Sequence, residues 1–166
     1  MTSLETTSAS SATQPAASGD VRALIEHILE RYHAVHRAEL DELVPLARKV
    51  EAVHAGHGQC PKGLGDLLAD MRGELEAHMT KEEQVLFPVL LGGSAGCAPF
   101  AIRRMRMEHD DHEELLAQLR ELTHAFEPPA GACRSWRALY AGCAKLDADL
   151  QEHIRLENEV LFPIFE

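Results

Sequence analysis

The stretch HMTKEEQVLFP, residues 78–88, recurs 75 residues later as HIRLENEVLFP, residues 153–163. Each copy opens with a histidine and a glutamate four positions apart, His78 with Glu82 and His153 with Glu157. At about 3.6 residues per turn the two side chains lie about 40° apart around an α-helix and point the same way. That is ligand spacing for a metal ion. One such pair also fits an ordinary surface ion pair, but two in matched contexts argue for a shared purpose. Val-Leu-Phe then continues each helix as a packing stripe, and Pro88 and Pro163 are expected to end or kink it, because the ring removes an N–H.

Outward from these copies the chain reads as four helices. Leu24, Ile25, Ile28, Leu29, Tyr32, Val35 and Leu40 recur at intervals of three and four, predicting a first helix from about Val21, N-capped by Asp20. A kink is expected at Pro45, with helix resuming to His54 before Gly56 and Gly58. A second helix is predicted from about Gly65 to Leu91, a third from about Pro99 to His124, and a fourth from about Cys133 to Phe162. No segment alternates at period two. The fold class is therefore all-α, an antiparallel up-down four-helix bundle with any cofactor held between facing helices. Phe87, Phe162 and Phe165 are expected to cap one end of it, and Trp136 and Tyr140 to lie in the core.

Length and composition fit that reading. The chain of 166 residues suits one domain, expected over residues 20–166, behind a Ser/Thr/Ala-rich tail over residues 1–19 that is expected to be disordered. Sixteen basic against 27 acidic residues give a net charge of -11, which argues against nucleic acid or an anionic membrane as partner. Cys60, Cys97, Cys133 and Cys143 form no paired motif and read as reduced thiols. Without a secretory leader or an apolar run of membrane length, the expected location is the cytoplasm.

The inward-facing candidates are His33 and His54 on the first helix, His78 and Glu82 on the second, His109 on the third, and His153 and Glu157 on the fourth. His33 and His109 stand 76 residues apart, so the chain looks like a duplicated helical hairpin. His33 and His54 share a face at heptad spacing but lie about 30 Å apart on a straight helix. Either the break near Pro45 folds the segment back, or one of the two is no ligand. Five imidazoles and two carboxylates suit a pair of iron ions, with Glu82 and Glu157 bridging and an oxygen bridge between the metals; manganese and zinc take similar donors. A rival pattern, Glu-x-x-His, occurs at Glu30 with His33, Glu51 with His54 and Glu121 with His124, but it lacks the repeat's symmetry. Glu74 and Glu108 read equally as groups supporting the ligands and as surface charges. His27, His36, His57, His112 and His124 read as solvated or as polar core residues.

These motifs resemble the hemerythrin-like domain. RYH ending at His33, KVEAVH ending at His54, MEHD at residues 107–110 and LQEHIRLEN at residues 150–158 are similar to the iron-sulfur cluster repair di-iron proteins, the repair of iron centres family. The resemblance covers about residues 20–166 and implies that His54 is also a ligand. It implies a non-haem di-iron protein, monomer or homodimer, that restores iron-sulfur clusters damaged by nitric oxide or oxidative stress by donating iron to apo or damaged proteins. Nitric oxide reduction and the binding or sensing of oxygen or nitric oxide are the alternatives that the same ligands allow. Members of that family typically carry a small N-terminal domain with a cysteine pair, and the Ser/Thr/Ala-rich residues 1–19 lead to the expectation that this chain lacks it.

Overall fold

The computed structural model describes residues 18–92 and 96–166; the expected tail falls outside them, apart from its last two residues. Four helices follow in order, with no strand among the described residues: α1 over residues 18–53, α2 over 64–92, α3 over Ala98–Leu122 and α4 over 134–161, closed by a 3₁₀ turn at Phe162–Ile164. α1 packs against α2 and α4, and α3 against the same two helices.

The apolar residues fall into two clusters with a polar layer between them. On α1 the order is Val21, Ile25 and Ile28, then His33 and His36, then Leu40, Leu43, Val44, Ala47 and Val50. α3 repeats it, with Ala98, Ile102 and Met105 before the polar residues and Leu116 and Leu119 after them. On α2 and α4 the order is reversed: Leu68, Met71 and Leu75, or Trp136, Tyr140, Leu146 and Leu150, come first, and Leu86 and Phe87, or Leu161 and Phe162, come last. Alternating order is what an up-down-up-down bundle requires. Trp136 and Tyr140 are fully buried in the larger cluster, while Phe87 and Phe162 belong to the smaller one, with Phe165 packed against it. At Gly142 α4 comes so close to α1 that an added Cβ would lie 2.6 Å from Leu43 Cδ2.

Three helices carry a π turn at the level of the polar layer. Leu29–His33 ends on His33, Glu82–Leu86 begins on Glu82, and Leu156–Leu161 contains Glu157. Such i→i+5 turns recur at functional sites. Each holds one residue more than an α turn, so the expected Val-Leu-Phe stripe slips by about one position. Val85 and Val160 turn outward, 56% and 41% exposed, whereas Leu86, Phe87, Leu161 and Phe162 are buried. Pro88 does not stop α2, which runs on to Gly92. The carbonyl that its ring would strike, four residues back at Gln84, lies inside the widened turn.

Pro45 does not interrupt α1: Ala34–Val53 is continuous helix, with Pro45 exposed. At the following turn Gly63 adopts φ 89°, and the N–H groups of Gly63 and Gly65 donate to Glu51 Oε1 and Oε2 at 2.6 and 2.9 Å. Glu51 thus caps the start of α2 from the end of α1, where a negative group is also favoured by the helix dipole.

Candidate metal centre

Four helices bring His33, His78, Glu82, His109, His153 and Glu157 together in the polar layer, each at most 2% exposed. They form two overlapping groups, His33 with His153 and His78 with His109, and both glutamates belong to each group. Glu82 turns Oε2 to His33 Nε2 and Oε1 to His78 Nε2, both at 3.2 Å. Glu157 does the same from the other side, Oε1 lying 3.2 Å from His153 Nε2 and Oε2 3.0 Å from His109 Nε2. Every carboxylate oxygen therefore faces one imidazole nitrogen, and each glutamate spans the two halves.

The opposite nitrogen of each ring is engaged outside the cluster. His33 Nδ1 lies 2.8 Å from Glu83 Oε1, His78 Nδ1 2.9 Å from Glu108 Oε2, His109 Nδ1 2.9 Å from Asn158 Oδ1, and His153 Nδ1 3.2 Å from His36 Nε2. A neutral ring donating through Nδ1 presents its Nε2 lone pair inward, and this orienting contact is a regular companion of metal-bound histidine. Arg37 donates to Glu83, and Lys81 and Arg104 donate to Glu108 at 2.6 and 2.9 Å. Aromatic rings fix the planes: Phe87 stacks on His33, Phe162 on His109, and Tyr32 on His153 with centroids 5.3 Å apart.

The electrostatics call for a cation. Burial, then the neighbouring Glu157 carboxylate, push the Glu82 carboxyl up to about 8. For Glu157 burial also acts upward, but His153 and His109 outweigh it and hold the group well below the usual carboxylate range. Two buried carboxylates this close resist shared ionisation, and positive charge between them removes the conflict. His78 Nε2 and His109 Nε2 lie 3.1 Å apart, so the inward lone pairs of neutral rings would face one another. His33 Nε2, both Glu82 oxygens and Glu157 Oε2 are buried without a hydrogen-bond partner among the described residues. An unmet buried polar atom costs roughly 1–3 kcal/mol, which bonds to a metal would offset. The nitrogen and carboxylate donors fit a divalent transition metal.

Of the seven residues that the sequence nominates, six meet here and His54 does not. It lies at the far end of α1, half-buried, its ring 4.8 Å from that of Trp136 and its Nε2 3.2 Å from Cys133 Sγ. Because α1 runs unbroken past Pro45, the 21 positions from His33 remain about 30 Å of helix. The Glu-x-x-His pattern gathers nothing: Glu30 and Glu121 are exposed, and Glu51 is spent as a cap. Glu108 holds His78 from behind, whereas Glu74 is exposed beside a surface pocket lined also by Asp70, Asp111 and His112. His36 and His112 are buried, not solvated, and burial pushes both down to about 3, so they are neutral. Their signal was in the numbering: they stand 76 residues apart, as His33 and His109 do.

Known proteins share this arrangement of sequence. The hemerythrin HHE cation binding domain matches residues 24–165. Over 140 residues, 84% of the chain, it is 50% identical to the iron-sulfur cluster repair protein DnrN of Neisseria gonorrhoeae, covering 88% of that protein. It is 49% identical to the iron-sulfur cluster repair protein YtfE of Edwardsiella ictaluri and 44% identical to a probable iron-sulfur cluster repair protein of Haemophilus influenzae. The chain spans 63% of the length of each of these two. The chain belongs to the hemerythrin HHE cation-binding family, among relatives named for iron-sulfur cluster repair.

Proposed function

We propose that the chain holds two iron ions, one between His33 and His153 and one between His78 and His109, with Glu82 and Glu157 bridging both, and that it donates iron to iron-sulfur proteins damaged by nitric oxide or oxidative stress. The observation that carries this reading is the sharing of both glutamates by the two ligand groups. Each ion would have four protein ligands, two of them held in common, so that an octahedral ion keeps open positions. Two bridged iron ions supply both redox capacity and a transferable metal.

The residues around the centre suit release as well as capture. Each glutamate is shared by both ligand groups, so protonation of either would loosen both halves at once. Glu83, Glu108, Asn158 and His36 keep the four rings aimed inward whether or not a bridge is in place. No helix among the described residues is long and apolar enough to cross a membrane, which fits a donor that must meet its clients in solution.

The test is anaerobic iron analysis of the purified protein, followed by incubation with an apo iron-sulfur protein and, separately, with nitric oxide and a reductant. Donation predicts about two irons per chain, as the two bridged sites require, and their appearance in the acceptor. Iron that stays bound while nitrous oxide accumulates over many turnovers would overturn donation in favour of nitric oxide reduction.

A further inference from the structure

The residue that the metal centre leaves out has a partner of its own. His54 ends α1, and its Nε2 lies 3.2 Å from the Sγ of Cys133, the exposed residue that precedes the first turn of α4. His54 is held in place: its ring packs on fully buried Trp136, which also receives the edge of His57 at 5.2 Å. A thiol, an imidazole within hydrogen-bonding reach and a third group that orients the imidazole are the elements of an activated nucleophile. The free N–H groups at the start of α4 add positive potential at the sulfur.

The other cysteines sharpen the comparison. Cys143 is fully buried in the larger apolar cluster, where burial pushes its thiol up to about 12. Cys60 is half-buried, with its Sγ 3.8 Å from the carbonyl oxygen of Glu51, and burial pushes it up as well. Cys97 is exposed and precedes α3 just as Cys133 precedes α4, but no imidazole contact to it occurs among the described residues. Cys97 thus serves as a reference thiol, exposed at a helix start like Cys133 but without an imidazole contact among the described residues, although its backbone is helical where that of Cys133 is extended.

We propose that Cys133 and His54 form a nucleophile and base pair, remote from the metal centre, that takes low-molecular-weight disulfides and joins half of each to the protein. His54 Nε2 accepts the Sγ proton. The sulfur then attacks one sulfur of the disulfide, forming the bond from Cys133 to the small thiol residue as the original S–S bond breaks. The departing thiolate takes the proton from the imidazolium and leaves as a free thiol. One disulfide is consumed and one formed, so no further oxidant or reductant enters. The site is independent of iron donation and does not require that reading to hold.

The experiment uses the full chain with its metal loaded. Iodoacetamide and hydroxyethyl disulfide are applied separately, and modification of each cysteine is followed over time by peptide mass spectrometry. Cys133 is expected to react at least about tenfold faster than Cys97 with both reagents, since a positioned base raises the reactive thiolate. His54→Asn should bring Cys133 down to the rate of Cys97, leaving Cys97 and the metal content unchanged. Cys143 reports on folding, since it reacts only if the bundle opens. If His54→Asn opens the bundle, the comparison of Cys133 with Cys97 in the unaltered chain still decides. A Cys133 no faster than Cys97, or equally fast in a folded His54→Asn variant, overturns the proposal.

Discussion

The Nε2 of His36 lies 3.2 Å from the Nδ1 of His153, and both rings are buried. Burial, then His153 and His33, push His36 down to about 3, so it serves as a neutral acceptor for the His153 N–H. Loss of such an orienting partner typically costs 10–100-fold in metal affinity. His36→Leu should therefore weaken metal binding by about that factor and in one of the two sites only, as read by competition with a chromophoric chelator. His112→Leu should cost less, because His112 meets His78 edge-on, with centroids 4.7 Å apart, while Glu108 supplies the hydrogen bond to His78 Nδ1.

The difference between these two histidines marks how far the sequence could be read. The repeat at 75 and 76 residues names His33, His78, Glu82, His109, His153 and Glu157, because two-fold packing imposes like positions on like helices. It also contains His36 and His112, but a histidine without a glutamate four positions away gives no sign of its role until α1 lies beside α4 for His36 and α3 beside α2 for His112. For His54 the spacing left the question open, since a straight helix puts it about 30 Å from His33 and only the resemblance implied a ligand; the unbroken α1 keeps it at that distance. The π turns at Glu82 and Glu157 have no residue signature, so the outward turn of Val85 and Val160 could not be foreseen.

Glu82→Gln and Glu157→Gln preserve volume but remove a carboxylate that both ligand groups share. On the two-iron reading proposed above, each should lower bound iron from about two per chain to one or fewer, measured by metal analysis after gel filtration, since each glutamate belongs to both ligand groups. Glu82→Gln alone should also stabilise the chelator-treated protein, whereas Glu157→Gln loses the favourable contacts of that carboxylate with His153 and His109. Glu82 is buried beside Glu157, and an amide carries no charge to oppose it. A gain of 1 kcal/mol corresponds to a rise of about 2–4 °C in Tm for a chain of this size, opposite in sign to the loss expected for the iron-loaded form.

Glu51→Ala separates the cap from the metal site. Without the carboxylate the N–H groups of Gly63 and Gly65 lose their acceptor, and a lost helix cap costs about 0.5–2 kcal/mol. Metal content should be unchanged, because Glu51 lies with His54 at the end of α1 and reaches none of the six clustered residues. A fall in bound metal with unaltered stability would revive the Glu-x-x-His reading. Gly65→Ala should destabilise through the same contact, its added Cβ falling 2.7 Å from Arg48 Cγ and 2.8 Å from Glu51 Oε2.

Asp149 ties α4 to α1 and gives the fold an acid-sensitive clasp. Arg31 donates to both of its oxygens, at 2.8 and 3.1 Å, and Lys145 donates at 2.7 Å while also pairing with Glu39. The hydrogen bonds from Arg31, with those from Lys145 after them, pull the Asp149 carboxyl down to about 2 despite partial burial. An unfolded aspartate takes its proton near pH 3.9, so between about pH 4 and 2 the unfolded chain binds more protons than the folded one. The clasp therefore contributes fully above about pH 4, weakens as the pH falls through that window, and is lost below about pH 2. Asp149→Asn should lower stability at pH 7 by about 0.5–1 kcal/mol, the range for a solvent-screened ion pair. Urea unfolding of the chelator-treated proteins should show that gap shrinking as the pH falls from 4 toward 2. A gap that stays constant across those pH values would mean that Asp149 acts through packing and not through its charge.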